Sequence, residues 1–448
     1  LKLPLSAPTF SQLLEAIPKE RMPIILQNIR LTDAKGRYLH WDQIRHKTPP
    51  DDLSLEEWWL GMSIARRGSS SQSVPFDDGK KTKFFFAEPP ELKALLQFVD
   101  MNAGGVLGAS HGLTAEDGRR YMRRSLAEEP FSSSFIEGAV TTRDRAKKMI
   151  FENRAPQTRD EKMVLNNYMG MEFVKEIVGE NLTIGHILEL HKIMTEGTLD
   201  DASGSGRLRT DADRVEVVYE PTNTILHTPP PAQFLPERLQ ALCDFANAAG
   251  DDLSYCHPLL KAMTLHFMLA FDHPFVDGNG RTARALFYWF MLKAGYWLME
   301  YTSISSVIAD APVSYYKAFL FSETADGDLT YFFLHQARAT RDALKRMHEY
   351  ADNKKQEFED FRAVILEQKA DTPLNSRQIA LIQDFHLGRE KIMMIRNHQE
   401  RYNVSYLTAR KDLEDLVGRG LLFKSKQGRD SIYKPGIRLK KEVMALLR

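Results

Sequence analysis

The stretch HPFVDGNGRTAR, His273 to Arg284, sets one imidazole, one carboxylate, two glycines around an asparagine and two arginines between two apolar runs. Upstream, HPLLKAMTLHFMLAFD carries apolar residues at helical spacing from Pro258 to about Phe271; downstream, RTARALFYWFMLKAGY does the same and closes at Gly295. The stretch is therefore a corner between two helices. Its flanks make the middle of the chain helical.

The corner also has a chemistry. Glycines let backbone approach a ligand closely, and the N–H groups of Gly278, Asn279 and Gly280 open a helix whose dipole favours negative charge. Arg281 and Arg284 lie three apart, so both guanidinium groups can serve one face and grip phosphate. Asp277 is a hard oxygen ligand beside that cradle, suited to a magnesium ion bridging phosphates. His273 is placed as a general base. Together these residues describe a site for transfer from a nucleotide phosphate.

Working outward, apolar patches at three-to-four spacing recur from Asp117 to Arg341, in AKKMIFEN, DEKMVLNNYMGMEFVKEIV and LTIGHILELHKIMTEG. One interruption, Leu208 to Pro231, alternates in strand fashion over Arg214 to Tyr219, turns at Glu220 to Asn223 and returns over Thr224 to Thr228. A hairpin on a helical body is either a surface decoration or an unpaired edge that can take an extended peptide. Before Asp117, TPPDDLS leads into a helix beginning near Leu55. GSSSQSVPFDDGKK, residues 68–81, reads as a mobile loop, and FFFAEPPELKALLQFV as a strand followed by a proline-initiated helix.

A chain of 448 residues, 43% hydrophobic and 27% charged, is long enough for two or three globular domains. Lysine plus arginine and aspartate plus glutamate are 60 each, so the whole chain is not a polyanion binder by net charge. Two cysteines, Cys243 and Cys256, cannot build a disulfide framework, and the chain opens LKLPLSAPTF without a leader pattern. No apolar run reaches membrane-span length. These features predict a cytoplasmic protein that does not enter membranes.

The twelve residues match H-P-F-x-D/E-G-N-G-R-x-x-R at every specified position, and the chain thereby resembles Fic-domain proteins. GRLRT, Gly206 to Thr210, is similar to the family's G-x-x-R segment and ILHTPPP to the end of its flap. The resemblance implies transfer of AMP from ATP to a hydroxyl of a target protein aligned along the flap. On that reading His273 takes the proton, Asp277 holds Mg2+, Gly278, Asn279 and Gly280 cradle phosphates, and Arg281 and Arg284 neutralise them. SSSFIEGAV contains Ser133-x-x-x-Glu137-Gly138, which resembles the family's inhibitory helix motif. That resemblance implies that Glu137 pairs with Arg284 where the γ-phosphate would lie, and it leaves room for the reverse reaction, removal of AMP. Tyr315 and Tyr316 match tyrosines of the base pocket, but Ser322 and Glu323 stand where some relatives place an asparagine. A different nucleotide donor is therefore an alternative.

From Asn375 to Arg448 there are 16 lysines and arginines against 8 aspartates and glutamates. NSRQIALIQDF, VSYLTARKDLEDLVGRG and LLFKSKQGRDSIYKP follow one another as helix, serine-capped helix and hairpin, an order that resembles a winged helix-turn-helix. On the DNA reading, Tyr406, Arg410 and Lys411 reach from the recognition helix, Ser405 to Arg419, and Lys424, Lys426 and Arg429 from the wing. That reading makes the chain a DNA-binding regulator with its nucleotide site as a sensor. On the other reading the module docks protein or forms a homodimer.

The expected fold is mainly α: a Fic helical core with a β-hairpin flap and a C-terminal winged helix-turn-helix domain. Its boundaries are an N-terminal helical region over 1–115, the core over 116–341 with the inhibitory helix near 131–138 and the flap over 208–231, a linker helix over 342–370, and the winged module over 371–448.

Overall fold

The computed structural model describes residues 2–50, 52–68, 71–80, 82–104, 122–248, 256–368, 374–386, 390–427, 430–436 and 439. These form two compact units. One holds the described residues up to 104 together with Ser125–Lys345, and the other holds residues 122–124 together with the described residues from Arg346 onward.

The first unit begins with four helices, α1 (Phe10–Ala16), α2 (Met22–Gln27), α3 (Trp41–Ile44) and α4 (Leu55–Arg67). Leu13, Ile25, Trp41, Ile44, Trp59 and Leu60 meet in a small core of their own. Ser54 and Glu57 start α4 by a reciprocal cap, the Glu57 N–H donating to Ser54 Oγ at 3.1 Å and the Ser54 N–H to Glu57 Oε2 at 2.8 Å. The segment read as a mobile loop is instead strand β1 (Ser71–Asp77), antiparallel to β2 (Lys83–Ala87) with Ser71 opposite Ala87 and Asp77 opposite Lys83. Serines and glycine hid it. Val74 and Phe76 are the inward residues, and the partner strand that covers the backbone lies across a turn.

Helix α5 (Pro90–Asn102) precedes the helical core: α6 (Glu128–Ile136), α7 (Arg143–Glu152), α8 (Arg159–Glu176), α9 (Ile184–Thr195), α10 (Leu235–Asn247), α11 (Pro258–Asp272), α12 (Asn279–Lys293), α13 (Ile304–Asp310), α14 (Pro312–Thr324) and α15 (Thr330–Gln368). Helices α11 and α12 are buried nearly all round, with Leu265, Phe267, Phe287, Tyr288 and Trp289 at zero exposure, so the other elements wrap them. The N-terminal segment is one of those wrappings. Phe84 of β2 packs edge-on to Phe267 and Phe271 of α11, and the Tyr38 hydroxyl donates to buried Asp328 at 2.6 Å.

The hairpin comprises β3 (Val217–Tyr219) and β4 (Thr224–His227), antiparallel with Val217 opposite His227 and Tyr219 opposite Thr224. Its first strand starts later than the alternation from Arg214 implies, because residues 211–213 form a tight helical turn and Arg214 is left-handed at φ 49°. Among the described residues no third strand joins this pair.

Helix α15 runs across the boundary into the second unit, which continues with α16 (Ser376–His386), β5 (Met393–Met394), α17 (Ile395–Tyr402), α18 (Tyr406–Gly418), β6 (Leu422–Gln427) and β7 (Asp430–Pro435). The strands form a sheet in the order β5-β7-β6 over a core including Ile379, Leu381, Leu413, Leu416 and Tyr433. Ser405 caps α18 by accepting from the Thr408 N–H at 3.1 Å. Asp412 of α18 points into the core and accepts from Asn375, Arg377 and His398, which keeps its carboxylate well below the usual range despite burial. No helix among the described residues is long and apolar enough to cross a membrane.

Candidate active site

The corner between α11 and α12 depends on two left-handed residues. His273 caps α11 at φ 45°, ψ 57°, and Gly278 caps α12 at φ 80°. A Cβ on Gly278 would lie 2.8 Å from Thr195 Cγ2, so glycine is required there for space as well as conformation. Between the caps, Asn279 acts as a staple: its Oδ1 accepts from the Phe275 N–H and its Nδ2 donates to the Phe275 carbonyl, both at 2.9 Å. Its side chain is thus spent on the loop, while its backbone opens α12.

His191, which the spacing argument missed, supports the same loop from α9. Its Nδ1 accepts from the Gly206 N–H at 3.0 Å, so Nε2 carries the proton and donates to the Asp277 carbonyl at 2.9 Å. The ring lies flat on Phe275 at 3.7 Å between centroids, and burial lowers its pKa to about 4. A lone histidine in an apolar helix gave no sign of this from spacing alone.

His273 is oriented by its own helix. Its Nδ1 lies 3.2 Å from the Ala270 carbonyl, which accepts only a proton, so Nδ1 is the protonated nitrogen and Nε2 holds the free lone pair. Burial lowers its pKa to about 4, so the imidazole is neutral at pH 7 and its Nε2 lone pair is unprotonated.

The arginines of α12 are buried at 1% exposure each. Arg281 donates from Nη1 to the Met194 carbonyl at 2.9 Å, leaving Nε and Nη2 without hydrogen-bond partners, and Arg284 leaves Nη1 without one. Buried guanidinium N–H groups left open are costly, and an anion at the helix N-terminus would satisfy them. Asp277 is half exposed, at 49%, with Oδ2 3.7 Å from Arg281 Nη2. Among the described residues no three histidine, cysteine or acidic side chains gather into a metal cluster. A cation here fits only as one held by the single Asp277 carboxylate and by the oxygens of a bound phosphate chain.

An internal anion already reaches the cradle. Glu137, at the C-cap of α6, accepts from Arg284 Nη2 at 2.7 Å, and a Cβ on Gly280 would lie 2.2 Å from its Oε1. The carboxylate therefore sits over the first turn of α12. Ser133 completes the contact, its Oγ and carbonyl accepting from Arg284 Nε at 2.9 Å and Nη2 at 3.0 Å. Gly138, at φ 90°, ends α6 directly after the glutamate, with the Ala139 N–H closing onto the Ser134 carbonyl at 3.0 Å.

The other end of α6 is held by a residue the sequence did not single out. Buried Glu129 accepts from the Tyr288 hydroxyl at 2.8 Å, Ser303 Oγ at 2.8 Å, and the Ser305 N–H and Oγ at 3.1 and 2.5 Å. Glu129→Ala strands three buried donors, since the Tyr288 hydroxyl can still donate to the Thr302 carbonyl at 3.0 Å, and is expected to cost about 3 kcal/mol. The check is a lower urea midpoint at unchanged m; an unchanged midpoint would remove Glu129 as the anchor of α6.

The remaining predicted residues divide. Tyr315 is a core residue, 4% exposed, its hydroxyl 2.9 Å from His266 Nε2, whereas Tyr316 is half-buried and edge-on to Tyr219 of the hairpin. Ser322 is fully buried and donates to the Ala318 carbonyl, and Glu323 is bound to His227. Arg209 ties the corner to the hairpin base, donating to the His273, Asp272 and Pro230 carbonyls at 2.8, 3.2 and 2.6 Å. In the second unit Tyr406, Arg410, Lys411 and Lys426 are exposed. Lys424 is paired with Glu414, which diminishes its charge, and Arg429 lies outside the described residues.

Comparison with known proteins agrees with the corner. The Fic/DOC family model matches residues 181–291. The chain is 30% identical over 186 residues to protein adenylyltransferase Fic of Drosophila willistoni, covering 40% of this chain and 34% of the relative, and 25% identical over 188 residues to that of Nematostella vectensis, covering 40% of each. The matched part thus spans well under half the length of these relatives. Among solved structures, a Fic family protein from Desulfovibrio desulfuricans G20 matches at 20% identity and TM-score 0.48 over 78% of this chain and 96% of that one; Fic-1 from C. elegans matches at 22% and 0.45 over 59% and 72%. Helix α6, with Glu137, lies outside the residues that the family model matches. Residues 181–291, which bring together the open guanidinium groups, the neutral His273 and the helix N-terminus of α12, are a Fic domain of the Fic/DOC family.

Proposed function

We propose that this chain is a protein adenylyltransferase that moves AMP from ATP to a hydroxyl side chain of a target protein and is held in check by Glu137. The observation that carries the reading is the convergence of a neutral histidine, a helix N-terminus and buried arginines with open N–H groups on one corner.

The triphosphate lies against the first turn of α12, where Arg281 and Arg284 meet its charge. His273 Nε2 takes the proton of the incoming hydroxyl. The hydroxyl oxygen forms a bond to the α-phosphorus, the bond from that phosphorus to the bridging oxygen breaks, and pyrophosphate leaves. A magnesium ion held at Asp277 supplies charge neutralisation on the phosphates when bound. The edges of β3 and β4, which no other strand among the described residues joins, offer backbone partners to an extended target segment. Mass spectrometry of the Glu137→Gly chain incubated with each nucleotide tests the donor: the added mass is expected to be that of one AMP with ATP, and a different adduct would replace the donor.

The exposed Tyr406, Arg410 and Lys411 on α18 and the exposed Lys426 on β6 favour a second reading for the C-terminal unit, contact with DNA phosphates. The full chain is then expected to shift duplex DNA at low salt, with affinity falling as salt rises. Arg410→Ala with Lys411→Ala should reduce the salt slope by about 2. No shift at low salt would reassign the unit to protein docking or dimerisation.

A further inference from the structure

The last turn of α11 leaves carbonyls that the helix itself cannot pair, and it ends on the proposed base. Their partners can be followed one by one. The Leu269 carbonyl takes the His273 N–H, Ala270 takes His273 Nδ1, Asp272 and His273 take Arg209, and Pro274 takes the Arg209 N–H. The Phe271 carbonyl takes His227 Nε2 at 2.7 Å. His227 is the last residue of hairpin strand β4, and its Nδ1 lies 2.7 Å from Glu323 Oε2 on α14. Both of its nitrogens therefore face oxygens that only accept. The ring also packs on Phe271 at 4.6 Å between centroids and is 10% exposed.

We propose that His227, clamped between Glu323 and the Phe271 carbonyl, is a positioning residue that joins the hairpin to the end of the helix bearing His273. The proposal rests on the transferase reading for its consequence. It assigns Glu323 to the clamp, away from any direct contact with the nucleotide base. The clamp matters because the hairpin would present the target hydroxyl while α11 presents the base, and misplacing one against the other by an ångström costs a transfer reaction up to about 100-fold.

Two acceptors on one imidazole are both satisfied only when the ring carries two protons. Burial opposes that charge, but Glu323 and the helix C-terminus outweigh it and the His227 pKa is raised above its ordinary 6.5. The charged and titratable groups facing it are Glu323 from α14 and Asp272 and His273 at the end of α11. The clamp is thus intact at low pH and opens as pH rises through the raised His227 value.

The test uses the full chain with Glu137→Gly as background. His227→Ala is expected to lower kcat for transfer about 10- to 100-fold, leaving ATP affinity within about twofold, since no nucleotide contact is removed. Glu323→Gln, which keeps the shape but removes the charge, should move the high-pH fall in transfer to lower pH. Hydrogen exchange provides the readout independent of activity: amides of 217–227 and 269–273 should become faster together in both variants. If exchange is unchanged, or if ATP affinity falls as far as kcat, the clamp is overturned. If exchange changes but the background variant transfers nothing, the clamp stands and the transferase reading falls.

Discussion

Glu137→Gly is expected to raise incorporation of label from α-labelled ATP into protein by about 5- to 150-fold, the range of a coupling of 1–3 kcal/mol between two ligands competing for one site. The two ligands here are the Glu137 carboxylate and the terminal phosphate. The carboxylate lies 2.7 Å from Arg284 Nη2 and over Gly280, so it occupies both the guanidinium and the helix N-terminus that a phosphate needs. Removing it leaves Arg284 bonded to Ser133, with Nη1 and part of Nη2 open to an anion. Glycine is chosen because the position ends a helix and precedes Gly138, so a shorter side chain leaves the cap intact. Incorporation that stays at the wild-type level, with ATP bound equally in both, would sink the inhibitory role of Glu137.

His273→Ala in that activated background is expected to lower transfer by about 100- to 10,000-fold, the share that a positioned general base contributes. ATP affinity should change little, because the ring points its free Nε2 away from its helix and the phosphate donors lie on α12. The pH dependence of the base has a definite sign. A histidine whose folded pKa is lowered to about 4 is deprotonated at every pH above that value, so it can accept a proton across pH 5 to 7. The acid limb of the rate should therefore fall near pH 4, well below the 6.5 of a free imidazole. An acid limb near 6.5, or an alanine variant that retains full transfer, would assign the proton to another group.

Much of the helical core was legible before any coordinates. Apolar spacing placed α11 and α12, and the glycines between them marked the corner, because a buried helix needs apolar residues on every turn and a tight corner needs positive φ. The hairpin was legible as a change of period from about four to two, though its first strand was placed too early because a left-handed arginine carries no compositional signal. Strand β1 was misread as a mobile loop for a related reason. Its sequence is poor in strand formers, and pairing with β2 rather than propensity holds it.

By itself the amino-acid sequence supplied the functional groups of the corner, an imidazole, a carboxylate, a glycine-flanked helix start and two arginines, and its resemblance to a family pointed to the Ser-x-x-x-Glu-Gly segment far upstream. Tertiary structure alone decided what those groups do to one another. Only folding shows that Asn279 spends its side chain on the loop, that Tyr315 belongs to the core, and that His191, Glu129, Arg209 and His227 support the site from four other segments. The reason is physical. A residue's reactivity follows from its functional group, which the sequence states. Its protonation, orientation and partners follow from burial and from hydrogen bonds between residues distant in sequence, such as Ser133 and Arg284, and these exist only once the chain has packed.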